Sequence, residues 1–358
     1  MKKRIIIFMP SIEGGGVEKN FFIVSNYLSK KIDNVSVITI SKKYKYKFNK
    51  SINFISFSLN IWDKLSRRAK YFLAIILLVK EIFKNRNVSV FSFQANIYCI
   101  IICKLFFIKV ISRSNSAPAG WSKNPIKRWI FKIFLNLSDK VMVNSLEFKK
   151  DLKKQFNVNA VCIYNPLNKK EIIKDSKKKI NFSFFKNKTN NFITIGRLVD
   201  QKDHLTLLKA FKILRIKTNY NFKLLIIGRG ENKNLINNYI AENNLSKFVR
   251  VLNFKNNPYP YLKKADALIS TSIYEGLPNV LLEGLTLKKL IISSDCPTGP
   301  NEILDKGNGG IIFKMRNEFN LFSKIKFYLE NKRKCKKFIK HGYKRLDRFD
   351  LNYNLEQY

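Results

Sequence analysis

The stretch Ala267–Glu302, ALISTSIYEGLPNVLLEGLTLKKLIISSDCPTGPNE, constrains the fold more than any other part of this chain. A short apolar run, Ala267–Ser270, enters a turn holding Gly276 and Pro278. A helix is expected to start near Pro278, a residue suited to a first helical position. A second apolar run, Leu290–Ser293, ends in the polar cluster Asp295–Glu302. Apolar runs of this length read as buried parallel strands, and open parallel sheets bind ligands outside the carboxyl ends of their strands. Glu275 falls on the turn, and Glu283 follows in the second turn of the helix. Leu277, Pro278, Asn279 and Val280 occupy the helix N-terminus, where backbone N–H groups attract anions. Carboxylates together with helix-terminal amides suit a ligand bearing both hydroxyls and phosphates, such as a nucleotide sugar. The plain alternative is a strand-turn-helix with two surface glutamates.

A second constellation lies upstream. The strand Phe192–Ile195 leads to Gly196-Arg197-Leu198 and then Gln201-Lys202-Asp203-His204, which opens a helix. Arg197 and Lys202 are placed to reach one diphosphate, Arg as a planar fork and Lys as a point charge. His204 reads as a helix-start residue, not a base. Leu224–Ile227 ends in Gly228-Arg229-Gly230, another glycine-bearing turn after a strand.

EGLPNVLLEG followed by DCPTGPNEIL, with GRLVDQKDH upstream, resembles the retaining, GT-B-fold glycosyltransferases of family 4. The resemblance implies an α/β fold of two Rossmann-like doubly wound domains facing each other across a cleft, with a C-terminal helix crossing back to the first. It implies that Arg197 and Lys202 hold the donor diphosphate, Glu275 orients the donor sugar and Glu283 binds the ribose hydroxyls. Glu275, Arg197 and Lys202 are thus the catalytic candidates. Gly15, Gly16, Gly196, Gly228, Leu277, Pro278, Asn279 and Val280 join Glu283 as donor-binding candidates. The chain lacks an Asp-x-Asp motif to place a divalent cation on a diphosphate, so neither metal nor cofactor is expected; cations and amides stabilise the leaving group instead. The turn DCPTGP, the segment NPYPYLKKAD and the basic first half resemble the bacterial enzymes that extend undecaprenyl-diphosphate-linked sugars, including those adding α-linked N-acetylgalactosamine.

The first half reads as strands alternating with helices, which indicates one doubly wound domain. Ile5–Met9 precedes Glu13-Gly14-Gly15-Gly16, a loop that lets a ligand approach the backbone. Strand-like Val88–Phe93 ends at Gln94, and Ile108–Ser112 ends at Arg113-Ser114-Asn115. Gln94, Arg113 and Asn115 are candidates for contact with acceptor or sugar, against the alternative of a solvated strand end. Asn165-Pro166 marks a boundary, since proline biases its predecessor toward extended backbone. The expected organisation is 1–168 as acceptor domain, 169–190 as a Lys-rich linker, 191–340 as nucleotide-sugar domain and 341–358 as a segment returning to the first.

A formal charge of +43 raises two readings, a surface drawn to nucleic acid or anionic lipid and a compositional excess of solvated lysine. Residues 1–168 carry 30 basic and 8 acidic residues against 38 and 17 beyond, an even spread that favours the second. A basic nucleic-acid-binding protein remains the non-enzyme alternative, but no register of basic and aromatic residues supports a nucleic-acid partner. A GT-B epimerase or phosphorylase is the alternative within the fold. The apolar helices expected at Lys64–Phe83 and Asn124–Leu137, both flanked by cations, read either as core or as an interface with an anionic membrane surface. Five cysteines without metal-type spacing indicate reduced thiols. The start MKKRIIIFMP is too short in its apolar run for a signal peptide. The expected setting is therefore cytoplasmic and peripheral to the inner membrane face, the partners being a nucleotide-diphosphate sugar and a lipid-linked saccharide.

Overall fold

The computed structural model describes residues 4–58, 60–121, 124–185 and 189–358. The chain divides into two compact units, residues 1–166 with 352–358, and residues 167–351. Each is built on one all-parallel sheet.

In the first unit the strands are β1 (Arg4–Phe8), β2 (Val35–Ile38), β3 (Asn53–Ile55), β4 (Val88–Ser92), β5 (Lys109–Arg113), β6 (Lys140–Val143) and β7 (Ala160–Cys162). Their order is β3-β2-β1-β4-β5-β6-β7. The chain winds outward from β1 to β3, then returns to lay β4 beside β1, in register from Arg4 opposite Val88 to Phe8 opposite Ser92. That reversal between β1 and β4 is the switch point, where the two flanking loops part and leave a crevice. The central strands are near-continuous Ile, Val and Phe because helices cover both faces. Ile6, Phe8, Val90 and Val110 are fully buried.

In the second unit the strands are β8 (Asn190–Ile195), β9 (Phe222–Ile227), β10 (Val249–Leu252), β11 (Ala267–Ser270), β12 (Leu290–Ser294) and β13 (Ile311–Phe313), in the order β10-β9-β8-β11-β12-β13. Here the switch point lies between β8 and β11, paired through Phe192 with Ala267 and Ile193 with Leu268. The loops after these two strands carry Arg197 with Lys202, and Glu275.

Residues 169–190 are not a bare linker. They begin with the helix Lys169–Ser176, capped by the Asn168 side chain on Glu171 N, with Ile172 fully buried. Phe182 then sets its ring 5.0 Å from that of Tyr261, edge to face, and Phe184 is buried. The stretch packs because its Ile and Phe side chains outweigh its lysines; residues 186–188 within it, like the first three residues of the chain, lie outside those described. The C-terminal end divides one way the sequence did not mark: 341–351 stay with the second unit, and 352–358 belong to the first. There Tyr358 lays its ring 6.0 Å from Phe91.

The helix expected at Lys64–Phe83 runs Arg67–Lys84, started by the Ser66 side chain accepting from Ala69 N. One side is core, with Ala74, Leu77, Leu78 and Ile82 buried; the other exposes Phe72, Ile76 and Phe83. A buried pair fixes it to the sheet, with Arg4 donating to Glu81 at 2.8 Å and to Ser36 at 2.8 Å. Burial alone would raise the Glu81 carboxyl, but the bonds from Lys84 and Arg4 outweigh it and hold the group below its ordinary range. Among the described residues no helix is long and apolar enough to cross a membrane.

Candidate active site

Three of the residues singled out converge at the second switch point. Lys202, on the short helical turn Asp200–Lys202 after β8, is ion-paired to Glu275, on the turn after β11. The Glu275 carboxylate also accepts from Ser272 Oγ at 2.6 Å, and both partners of the ion pair are largely buried. Arg197 donates to Gln201 Oε1 at 2.7 Å, and Gln201 in turn donates to the Tyr274 carbonyl at 2.8 Å. The two turns are further stitched by Ile273 N to Gln201 O at 2.9 Å and by Thr271 Oγ1 to Lys202 O at 2.7 Å. The result is one polar surface on which two cations and a carboxylate are held in fixed relation.

The turn DCPTGP locks Glu275 from the other side. Thr298 Oγ1 donates to the Glu275 carbonyl at 2.6 Å, and Glu275 N donates to Pro297 O at 3.3 Å. Gly299 has φ +89, and a Cβ there would fall 2.5 Å from Gly276 O, so only glycine fits. Cys296, between them, is buried, and that burial pushes its thiol up to about 12, so it is no nucleophile at neutral pH.

Pro278 is the N-cap, not the first helical residue, because its ψ of 104° is extended; the helix is Asn279–Thr286. Leu277, Asn279 and Val280 bracket that start. Glu283 sits eight residues beyond Glu275, buried, and is held by Tyr259 OH at 2.9 Å. Its anchor is therefore distinct from the Lys202–Glu275 pair.

Gly196 and Gly228 serve packing between strand ends. A Cβ on Gly228 would lie 1.9 Å from Gly196 O, so the loops after β8 and β9 touch backbone to backbone. His204 begins the helix His204–Lys217 and is buried, which with the nearby Lys202 charge depresses it to about 4. It is neutral at physiological pH.

In the first unit, Gly15 is the N-cap and Gly16 the first residue of the helix Gly16–Lys31. Glu18 reaches back to accept from Glu13 N at 3.3 Å. Gln94, after β4, accepts from Ser11 N, after β1, at 2.9 Å, which bridges that switch point. Asn115 donates to the Phe93 carbonyl at 3.1 Å. Arg113 is neither a solvated strand end nor a surface contact. It is 1% exposed, bonds Asn165 Oδ1 at 2.7 Å, and has the rings of Phe93 and Tyr358 within 5.3 and 5.2 Å of its guanidinium. Burial pulls it down to about 9. The residues that sequence reading did not assign are Ser272, Gln201, Thr271, Thr298 and Tyr259. Each is a hydroxyl or amide next to a recognised motif, and Tyr259 lies inside the quoted NPYPYLKKAD segment.

All four of Arg197, Lys202, Glu275 and Glu283 fall within residues 175–345, which match the family of glycosyl transferases group 1. That match spans 171 of the 358 residues, just under half of the chain. The chain is 31% identical over 253 residues to an uncharacterized glycosyltransferase of Methanocaldococcus jannaschii, an alignment that spans 64% of this chain and 60% of that protein. It is 27% identical over 363 residues to the N-acetylgalactosamine-N,N'-diacetylbacillosaminyl-diphospho-undecaprenol 4-alpha-N-acetylgalactosaminyltransferase of Campylobacter jejuni, covering 97% of this chain and 96% of the relative. Among solved structures it resembles a glycosyltransferase from Rickettsia africae, with TM-score 0.76, 20% identity and coverage of 99% and 96%. It also resembles Anabaena HepE in complex with UDP-glucose, with TM-score 0.77, 14% identity and coverage of 99% and 97%. The fold is thus GT-B.

Proposed function

We propose that the protein transfers a hexose or N-acetylhexosamine from a nucleotide-diphosphate sugar, UDP-linked, to a lipid-linked saccharide in bacterial envelope glycan synthesis, with retention and without a metal. The observation that carries this reading is the joined turn in which Arg197, Lys202 and Glu275 are locked at the switch point of the second sheet. On this reading Arg197 and Lys202 neutralise the diphosphate as it leaves, which lowers the barrier by electrostatic stabilisation. Lys202 exchanges its Glu275 partner for phosphate oxygen, and the freed carboxylate takes the donor sugar's hydroxyls. Glu283, already oriented by Tyr259, takes the ribose, and the start of the helix Asn279–Thr286 faces the phosphates. Gln94 and Asn115 are proposed to face the acceptor or the sugar, and the Gly15–Gly16 loop the donor phosphates and the acceptor; Arg113 supports them from inside. The Campylobacter relative, whose name gives a diphospho-undecaprenol acceptor, supports the lipid-linked substrate.

An anionic membrane surface is the proposed setting. Its support is the exposed apolar side chains of the first unit, Phe72, Ile76, Phe83, Leu105, Phe107 and Trp129, which alternate along the chain with exposed cations such as Arg68, Lys80 and Lys132. Apolar side chains among cations are what an interfacial surface needs.

The test is turnover of a panel of UDP- and GDP-sugars with an undecaprenyl-diphosphate-linked saccharide, read as free nucleotide and as product anomer. The reading expects acceptor-dependent UDP release, an α-linked product and activity in excess chelator. Activity confined to GDP-sugars, a β-linked product or loss in chelator would each remove that part of it. No nucleotide release with any pair would remove the whole.

A further inference from the structure

Within the second unit a cavity of about 280 Å³ opens beside the turn that carries Lys202. Its wall includes Asp200, Asp203, His204, Asn232, Ile273 and Arg316; none of Arg197, Lys202, Glu275 or Glu283 lines it. His204 is only 4% exposed, and its Nδ1 meets no hydrogen-bond partner among the described residues. That nitrogen is itself closed off from solvent, so what His204 gives the cavity wall is the remainder of its ring. Asp200 is held on the wall by Asn232, which donates to its Oδ1 at 2.7 Å. Asp203 is committed to Thr206 through both oxygens. Arg316 is exposed at the rim and adopts φ +57.

The lining narrows the ligand chemistry. Two carboxylates disfavour a phosphate, and Arg316 disfavours a divalent cation. Acceptors, a guanidinium donor, an imidazole ring and apolar side chains together fit a molecule whose hydroxyls both give and take hydrogen bonds and whose C–H face lies on Ile273. The volume is just below the roughly 300–1,000 Å³ of drug-sized pockets, which sets the size near one sugar ring. We propose that this cavity is a binding site for a small polyhydroxylated molecule of monosaccharide size, separate from the nucleotide-sugar residues. The site stands on its own lining and does not require the proposed reaction.

The chain has two histidines, His204 and His341, so a histidine-labelled protein gives two imidazole signals, told apart with His341→Gln. Free glucose, N-acetylglucosamine and N-acetylgalactosamine are titrated into the full chain. The proposal expects a saturable shift of the His204 signal by at least one of them. That shift should persist with UDP present and in Glu283→Gln, and weaken at least tenfold in Arg316→Ala and in the cavity-filling Leu235→Trp. No shift up to 100-fold over protein, or a shift abolished by UDP or Glu283→Gln and untouched by Arg316→Ala, overturns it.

Discussion

Glu283 and Tyr259 illustrate how much a single hydroxyl contributes to this site. A carboxylate buried this far needs a donor, and Tyr259 OH supplies one at 2.9 Å. A hydrogen bond to a charged group is worth about 1.5–3 kcal/mol. Tyr259→Phe is therefore expected to raise the donor KM about tenfold or more while changing kcat little, measured by steady-state UDP release; an unchanged KM would detach Glu283 from the ribose. His204 yields a second expectation. Burial lowers its pKa to about 4 from an unfolded value near 6.5, so the unfolded chain binds the extra proton first as pH falls. Its stabilising contribution is whole above pH 6.5 and is lost progressively between there and pH 4. At pH 4.5 the loss is about 2–3 kcal/mol. Urea unfolding at pH 7 and 4.5 checks this: His204→Gln should lose less stability across that interval than wild type by about that amount, and equal losses would contradict it.

At the scale of elements, two loops carry the site because glycines let them touch. Gly228 leaves no room for a Cβ against Gly196 O, and Gly299 leaves none against Gly276. Gly228→Ala must push the β9 loop away from the β8 loop, at a cost of at least about 2 kcal/mol. A lower urea midpoint with weaker donor binding is expected, since Gly196 leads directly into Arg197; wild-type values for both would show the loops to be independent. The strands and the glutamate spacing were legible in the sequence because apolar runs and motif residues are local signals. The Asn279–Thr286 start was off by one residue, since proline fixes φ but leaves ψ open. The packed helix at 169–176 was hidden by its lysines, and the burial of Arg113 by its neighbours. Asn165 and Tyr358 lie 52 and 245 residues further along, so no local pattern points to them.

For the molecule as a whole, the charge of +43 and the exposed aromatic side chains are two separable sources of the proposed membrane attraction. Charge alone is screened by salt, with a Debye length near 8 Å at physiological ionic strength, whereas buried apolar area is not. Co-sedimentation with phosphatidylglycerol vesicles is expected to survive 0.3 M salt in wild type. It should be lost there in the combined variant Phe83→Ser, Phe107→Ser, Trp129→Ser. If both proteins dissociate alike, the attraction is lysine excess only. The measurement closest to the centre is calorimetric titration of UDP-sugar into wild type, Lys202→Ala and Glu283→Gln, with thermal melts confirming that each is folded. Affinity at least tenfold weaker in both variants is expected. Wild-type affinity in either one would show that these side chains do not grip the nucleotide-bound sugar.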